Sequence, residues 1–191
     1  MGAAAWQEAR LALAGTLRLV VGDRGGLACF DCSLDGFWRS FRAAVICYPL
    51  YLVLLAMRIT LAEWERSGGW HIVTVETIGY VIAWVAFPLL MLNVTRVIGR
   101  AHRYFDFMVP YNWCQVPQSA LLVLVGIESQ TGILGAQASE TIDVVAAFAT
   151  LVYEWYIARI ALETTGSAAA FVVLVDLVLG VALSRVSGSL Y

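Results

Sequence analysis

The chain has no lysine: its basic residues are twelve arginines, set against fourteen Asp and Glu for a net charge of −2. Without a basic arm or a surplus of positive charge, it is not built to hold nucleic acid. Charge of either sign is scarce, at 14% of residues against about 25% in an ordinary soluble domain, while 61% are hydrophobic against about 45–50%. That balance excludes a soluble domain and leaves an integral membrane protein. Cysteine is sparse too, with four residues, at 29, 32, 47 and 114, the last two inside apolar runs, so no disulfide framework is indicated. Cys29 and Cys32 form one Cys-x-x-Cys with no second pair and no nearby histidine, which cannot complete a zinc site. Phosphate loops, dinucleotide glycine motifs, nucleophile elbows and metalloprotease helices are all missing, so no catalytic residue, cofactor or metal is expected.

The start of the chain lacks the features of a signal peptide, since Glu8 and Arg10 precede any apolar run and no small-residue cleavage site follows one. Arginine without lysine, beside abundant Ala, Gly, Val and Leu, points to a GC-rich coding sequence and a bacterial host.

What the chain does have is a series of apolar runs. Residues 5–21 place Trp6, Leu13, Leu17 and Val20 on one helical face and Gln7, Arg10 and Arg18 opposite, the pattern of a helix lying in the membrane interface. In "DCSLDGFWRSF", Asp31 or Ser33 can cap a helix, and Phe37, Trp38 and Phe41 fit an aromatic belt. Five spans are expected, at about 41–60, 72–94, 111–127, 141–161 and 167–184, each near the roughly 20 residues needed to cross about 30 Å of hydrocarbon. The predicted fold is therefore an all-α membrane bundle, with residues 1–40 a cytoplasmic amphipathic region and 41–191 the spanning domain. Arg10, Arg18, Arg24, Arg39, Arg42, Arg96, Arg100, Arg103 and Arg159 fall on one side and only Arg58, Arg66 and Arg185 on the other. The positive-inside rule then puts the N-terminus in the cytoplasm and the C-terminus in the periplasm of a bacterial inner membrane.

Polar chemistry enters at "DFMVPYNWCQVPQSALLVLVG". Pro110 suits a first helical turn, and Asn112, Gln115 and Ser119 share one face. Pro49, Pro88 and Pro117 each remove an intrahelical hydrogen bond and are expected to kink their spans. Asp143, Thr150 and Glu154 share a face of the fourth span, and Asp176 lies mid-way along the fifth. A carboxylate at bilayer centre costs about 2.5–3.5 kcal/mol on insertion scales, so Asp176 must face protein or water. Asn112, Gln115, Glu154, Arg159 and Asp176 are expected to form one cluster between spans three, four and five. Arg159 is the nearest candidate partner of Asp176, but it falls near the cytoplasmic end about two turns away, so only a long snorkelling side chain bridges them. Glu76 reads as a solvated helix start.

The stretches "DCSLDGFWRSF" ahead of the first span and "RYFDFMVPYNWCQV" entering the third carry a resemblance. With the order of an amphipathic N-terminal region, five close spans and a short external end, they resemble the YIP family of Rab-interacting membrane proteins and a bacterial inner-membrane family. The resemblance implies a five-span fold and supplies no catalytic residue. The family's Asp-Leu-x-Gly-Pro-type motif is absent, so no GTPase partner is implied.

These readings point first to a non-catalytic membrane organiser or accessory protein. It would act on itself or on other membrane proteins through small-residue faces such as Ala169, Asp176 and Gly180, with membrane lipids as its other partners. The rival reading is a proton- or ion-coupled channel or transporter using Glu154 and Asp176. The third is a lipid-modifying enzyme built around Asp31, Asp35 and the arginines.

Overall fold

The computed structural model describes residues 3–191, with side chains from Trp6 onward. Its helices are α1 (Ala3–Val20), α2 (Leu34–Ser40), α3 (Arg42–Arg58), α4 (Leu61–Ser67), α5 (Gly69–Val97), α6 (Tyr104–Thr131), α7 (Ala136–Ala161) and α8 (Gly166–Gly188). Short 3-10 turns at Arg24–Cys29 and Ala101–Arg103 complete the secondary structure, and no strand occurs among the described residues.

Local chemistry sets the helix ends. Ser33 caps α2, its Oγ accepting from the Gly36 amide at 3.0 Å, while the Asp31 carboxylate accepts from the Ser33 amide at 3.1 Å. Those Ser33 contacts, aided by Arg39, hold the Asp31 carboxyl below its ordinary range. Thr60 and Glu63 form a reciprocal capping box on α4, and Thr165 caps α8. Gly132 ends α6 in the left-handed region at φ 61°, which a residue with a Cβ adopts only with strain.

Four helical stretches are long and apolar enough to cross a membrane: Leu34–Arg58, Gly69–Val97, Ala136–Ala161 and Gly166–Gly188. Their outer faces carry Ile78, Val81, Leu89, Leu174, Leu177 and Val181, all exposed, as lipid-facing side chains should be. The chain is thus an all-α, multi-pass membrane bundle. At 28 residues α6 is also long enough, but its polar residues keep it out of that apolar set, and it stands inside. It packs against α7, α3, α1, α2 and α5, and buries Tyr104, Phe107, Met108, Trp113 and Cys114.

α6 begins at Tyr104, well before the expected Tyr111, so Pro110 lies inside the helix and not in its first turn. The reason is burial. Tyr104, Phe107 and Met108 are 8%, 1% and 0% exposed, and docking these side chains carries the helix through the segment that looked like a cytoplasmic lead-in. Pro49, Pro88 and Pro117 likewise stand within continuous helices α3, α5 and α6. Helix α1 turns Ala9, Ala12, Thr16 and Leu19 onto the bundle and leaves Trp6, Leu17 and Val20 exposed for the interface. Glu8 holds this arrangement, pairing with Arg39 at 2.8 Å and Arg42 at 3.3 Å.

Helices α3 and α5 make little backbone contact and are joined by side chains. Tyr48 meets Thr77 at 2.8 Å, Tyr80 donates to the Ala44 carbonyl at 2.6 Å, and Tyr51 donates to the Glu76 carboxylate. The tyrosine rings also pack on one another, with Tyr51 and Tyr80 centroids 4.9 Å apart. The space between the two helices is therefore spanned by rings and hydroxyls.

Gly36 explains part of the "DCSLDGF" stretch, because a Cβ there would fall on the Asp31 carbonyl oxygen. Gly36→Ala should force the Asp31–Ser33 turn off α2 and cost about 1–3 kcal/mol, the usual penalty of overpacking. Thermal unfolding of the purified protein should show a lowered midpoint, and an unchanged midpoint would refute the close approach.

Candidate functional site: a buried acid pair

Three helices bring two carboxylates together. Asp176 on α8 accepts from the Tyr111 hydroxyl of α6 at 2.8 Å. Glu154 on α7 lines the same groove between α7 and α8 as Asp176, and Gln115, one turn beyond Tyr111, lines an inner cavity with Asp176. These positions follow from helical spacing: Tyr111 and Gln115 share a face of α6, and α7 and α8 form an antiparallel hairpin beside it.

The pair sits where two openings meet. An inner cavity of about 230 Å³ lies among α3, α5, α6 and α8, lined by Tyr51, Tyr80, Asn112, Gln115, Ser119 and Asp176. A groove of about 570 Å³ runs between α7 and α8, lined by Glu154, Asp176, Gly180, Ser184 and Arg185. Asp176 and Gly180 belong to both. No arginine forms an ion pair with either acid among the described residues. Arg185 lines the groove nine positions beyond Asp176, or about 13 Å along the helix. Two carboxylates in a low-dielectric interior with neutral partners carry uncompensated charge unless a proton or a small cation sits with them. They fall short of a full metal cage, since no group of three or more His, Cys, Asp or Glu occurs among the described residues.

Other expected members lie elsewhere. Arg159 is not the partner of Asp176. It is exposed, with its guanidinium 5.2 Å from the Trp155 ring centre, because it leaves α7 near the opposite, arginine-rich end. Asn112 is 1% exposed and donates to Ser40 Oγ at 2.8 Å, tying α6 to α2, although it also borders the inner cavity. Asp143 accepts from Ser129 near the far end of α7, and Thr150 donates to the Ala147 carbonyl. Pro88 borders the inner cavity, while Pro49 is exposed. The small-residue face of α8 is divided: Ala169 is fully buried, Asp176 is half-buried, and Gly180 is exposed at the openings, with no neighbour where a Cβ would stand.

Glu76 is not a solvated helix start. It is 3% exposed and gathers Arg58 at 2.6 Å, the Tyr191 hydroxyl at 2.7 Å, Ser187 at 3.3 Å and the Tyr51 hydroxyl. Burial beside the Glu76 carboxylate pushes the Tyr191 phenol up to about 12. Ser67 and His71 complete the clasp, contacting the Tyr191 and Leu190 carbonyls at 2.8 and 3.0 Å. The one signal in the sequence was an acid inside an apolar run, the same rule that singled out Asp176.

No protein family, curated protein or solved structure matches this chain.

Glu76→Ala should strand Arg58, Ser187 and two tyrosine hydroxyls. Leaving buried polar groups unpaired costs about 1–3 kcal/mol each. Hydrogen–deuterium exchange in peptides covering residues 186–191 should then rise about tenfold or more. Exchange at the wild-type rate would show that the clasp does not hold this segment.

Proposed function

We propose that this protein moves protons or small cations across a membrane, with Glu154 and Asp176 as the carrying pair. The observation that supports this most is the position of Asp176, shared by two openings on different sides of one helix and facing a second acid with no arginine to neutralise it. A structural lock would join donors to acceptors, and two acids facing each other do not. Tyr111 supplies a neutral hydrogen bond that orients the Asp176 carboxylate without discharging it, and Gln115 offers a second neutral group on the same face of α6. A proton or a small cation is the species that suits two oxygen ligands in so confined a place.

The proposal includes five crossings, with α6 as the internal one, in a bacterial inner membrane with the N-terminus cytoplasmic. The arginines sort accordingly. Arg39, Arg42 and Arg103 tie α1, α2 and the α7–α8 turn together at one end, and Arg58 meets Glu76, Ser184 and Tyr191 at the other. The crowded end is read as cytoplasmic. An organiser acting through Ala169, Asp176 and Gly180 is less well supported, because Ala169 is buried within the bundle and Asp176 is bonded to Tyr111, which leaves Gly180 as the one exposed small residue of the three.

Purified protein in liposomes carrying an internal pH dye, with sodium and potassium gradients as parallel arms, tests the reading. The wild type should pass a proton or cation current that falls at least tenfold in Glu154→Gln and Asp176→Asn, with both variants eluting as folded particles. Absence of wild-type flux, together with a particle far heavier than the 20.9 kDa chain, would replace the proposal with an organiser. Turnover of a labelled lipid headgroup would replace both with an enzyme.

A further inference from the structure

On the side of α6 away from the inner cavity, α1, α6 and α7 enclose a groove of about 540 Å³, walled by Leu17, Val20, Pro117, Leu121, Val152 and Trp155. Among its polar side chains, one lacks a partner. Gln118 is 6% exposed, and its carboxamide nitrogen is buried without a hydrogen-bond partner. The hydroxyl and indole hydrogens around it are committed, Thr150 to the Ala147 carbonyl, Tyr153 to the Thr16 carbonyl, Tyr156 to the Gly22 carbonyl and Trp155 to the Gly166 carbonyl, so none of them competes with Gln118 for an incoming acceptor. Gln118 is left needing an acceptor in a place where water would find few other partners.

The groove leads to a cationic end. Trp155 lines it and carries the Arg159 guanidinium 5.2 Å from its ring centre. Arg159 in turn lines an adjoining opening of about 410 Å³ with Arg24. Neither arginine is ion-paired among the described residues, and the carboxylate on that rim, Glu163, is taken by Arg103. An apolar slot, the Gln118 amide of α6 seeking a carbonyl, and two arginines free of ion pairs, Arg159 of α7 and Arg24 of the turn after α1, thus lie on one side of the bundle.

We propose that this groove binds one diacyl phospholipid of the surrounding bilayer. An acyl chain lies along α6 and α7, an ester carbonyl accepts from the Gln118 amide, and the phosphate rests between Arg24 and Arg159. Charge complementarity selects an anionic headgroup, and the amide selects an ester-linked chain. The site is independent of the acid pair, since it shares no residue with either opening at Asp176.

Native mass spectrometry of the detergent-purified protein, titrated with dioleoyl phosphatidylglycerol, tests it. One lipid per chain should bind, about tenfold more tightly than dioleoyl phosphatidylcholine. A dialkyl ether analogue of phosphatidylglycerol, which lacks ester carbonyls, should bind about fivefold more weakly. Gln118→Leu should erase the ester–ether difference while keeping the headgroup preference. Arg24→Gln and Arg159→Gln, both at exposed positions, should erase the headgroup preference while keeping the ester–ether difference. Equal binding of ester and ether lipids by the wild type, full displacement by inorganic phosphate, or a dimer mass with no bound lipid would each overturn the proposal. Circular dichroism confirms the fold of every variant, so loss of binding cannot be mistaken for loss of structure.

Discussion

Hydrocarbon offers no hydrogen bonds, and that constraint decides where α6 stands. A helix carrying Asn112, Gln115 and Ser119 on one face cannot present that side to acyl chains, so it goes to the middle and that face meets other helices. The remaining spans then take positions around it. Their own apolar residues face outward, which inverts the pattern of a soluble bundle, whose leucines and valines would be inside. Core packing falls instead to the aromatic and small residues: Phe107 and Trp113 from α6, Ala158 and Ala161 from α7, Ala169 from α8. The arrangement also gathers the polar side chains that α6 cannot expose onto surfaces where α3, α7 and α8 can use them.

Within this frame, buried polarity is handled in two ways. At Glu76 the acid is surrounded by donors and one arginine, and the result is a fastening that joins α3, α5 and the end of α8. At Glu154 and Asp176 the surroundings are neutral and the acids face each other beside open space. Glu76 shows that the chain supplies an arginine where a carboxylate needs one. Its omission at the second site is the contrast on which the functional reading rests.

Much of the architecture was legible from hydropathy alone. Four helices match the expected runs to within a few residues, because a stretch of apolar residues about as long as the bilayer is thick has few alternatives. That Asp176 turns toward protein, where Tyr111 of α6 donates to it, was legible from the cost of stranding a carboxylate in lipid. The reach from Arg159 to Asp176 is long on helical spacing alone, and the Trp155 ring, one turn away on the same helix, offers the guanidinium a closer surface. The early start of α6 was hidden because Tyr104 and Phe107 look the same whether they anchor at an interface or pack in a core. Glu76 was underrated because its partners Ser187 and Tyr191 are remote in the chain, and linear spacing carries no sign of them.

The clasp on Glu76 bears on biogenesis. Arg58 is 18 residues from Glu76 in the chain, whereas Tyr191 emerges from the ribosome 115 residues after it. Arg58 and Glu76 can therefore neutralise each other as soon as α3 and α5 are in place, whereas Ser187 and Tyr191 reach the same carboxylate only once α8 has been threaded, so the clasp is completed in two stages.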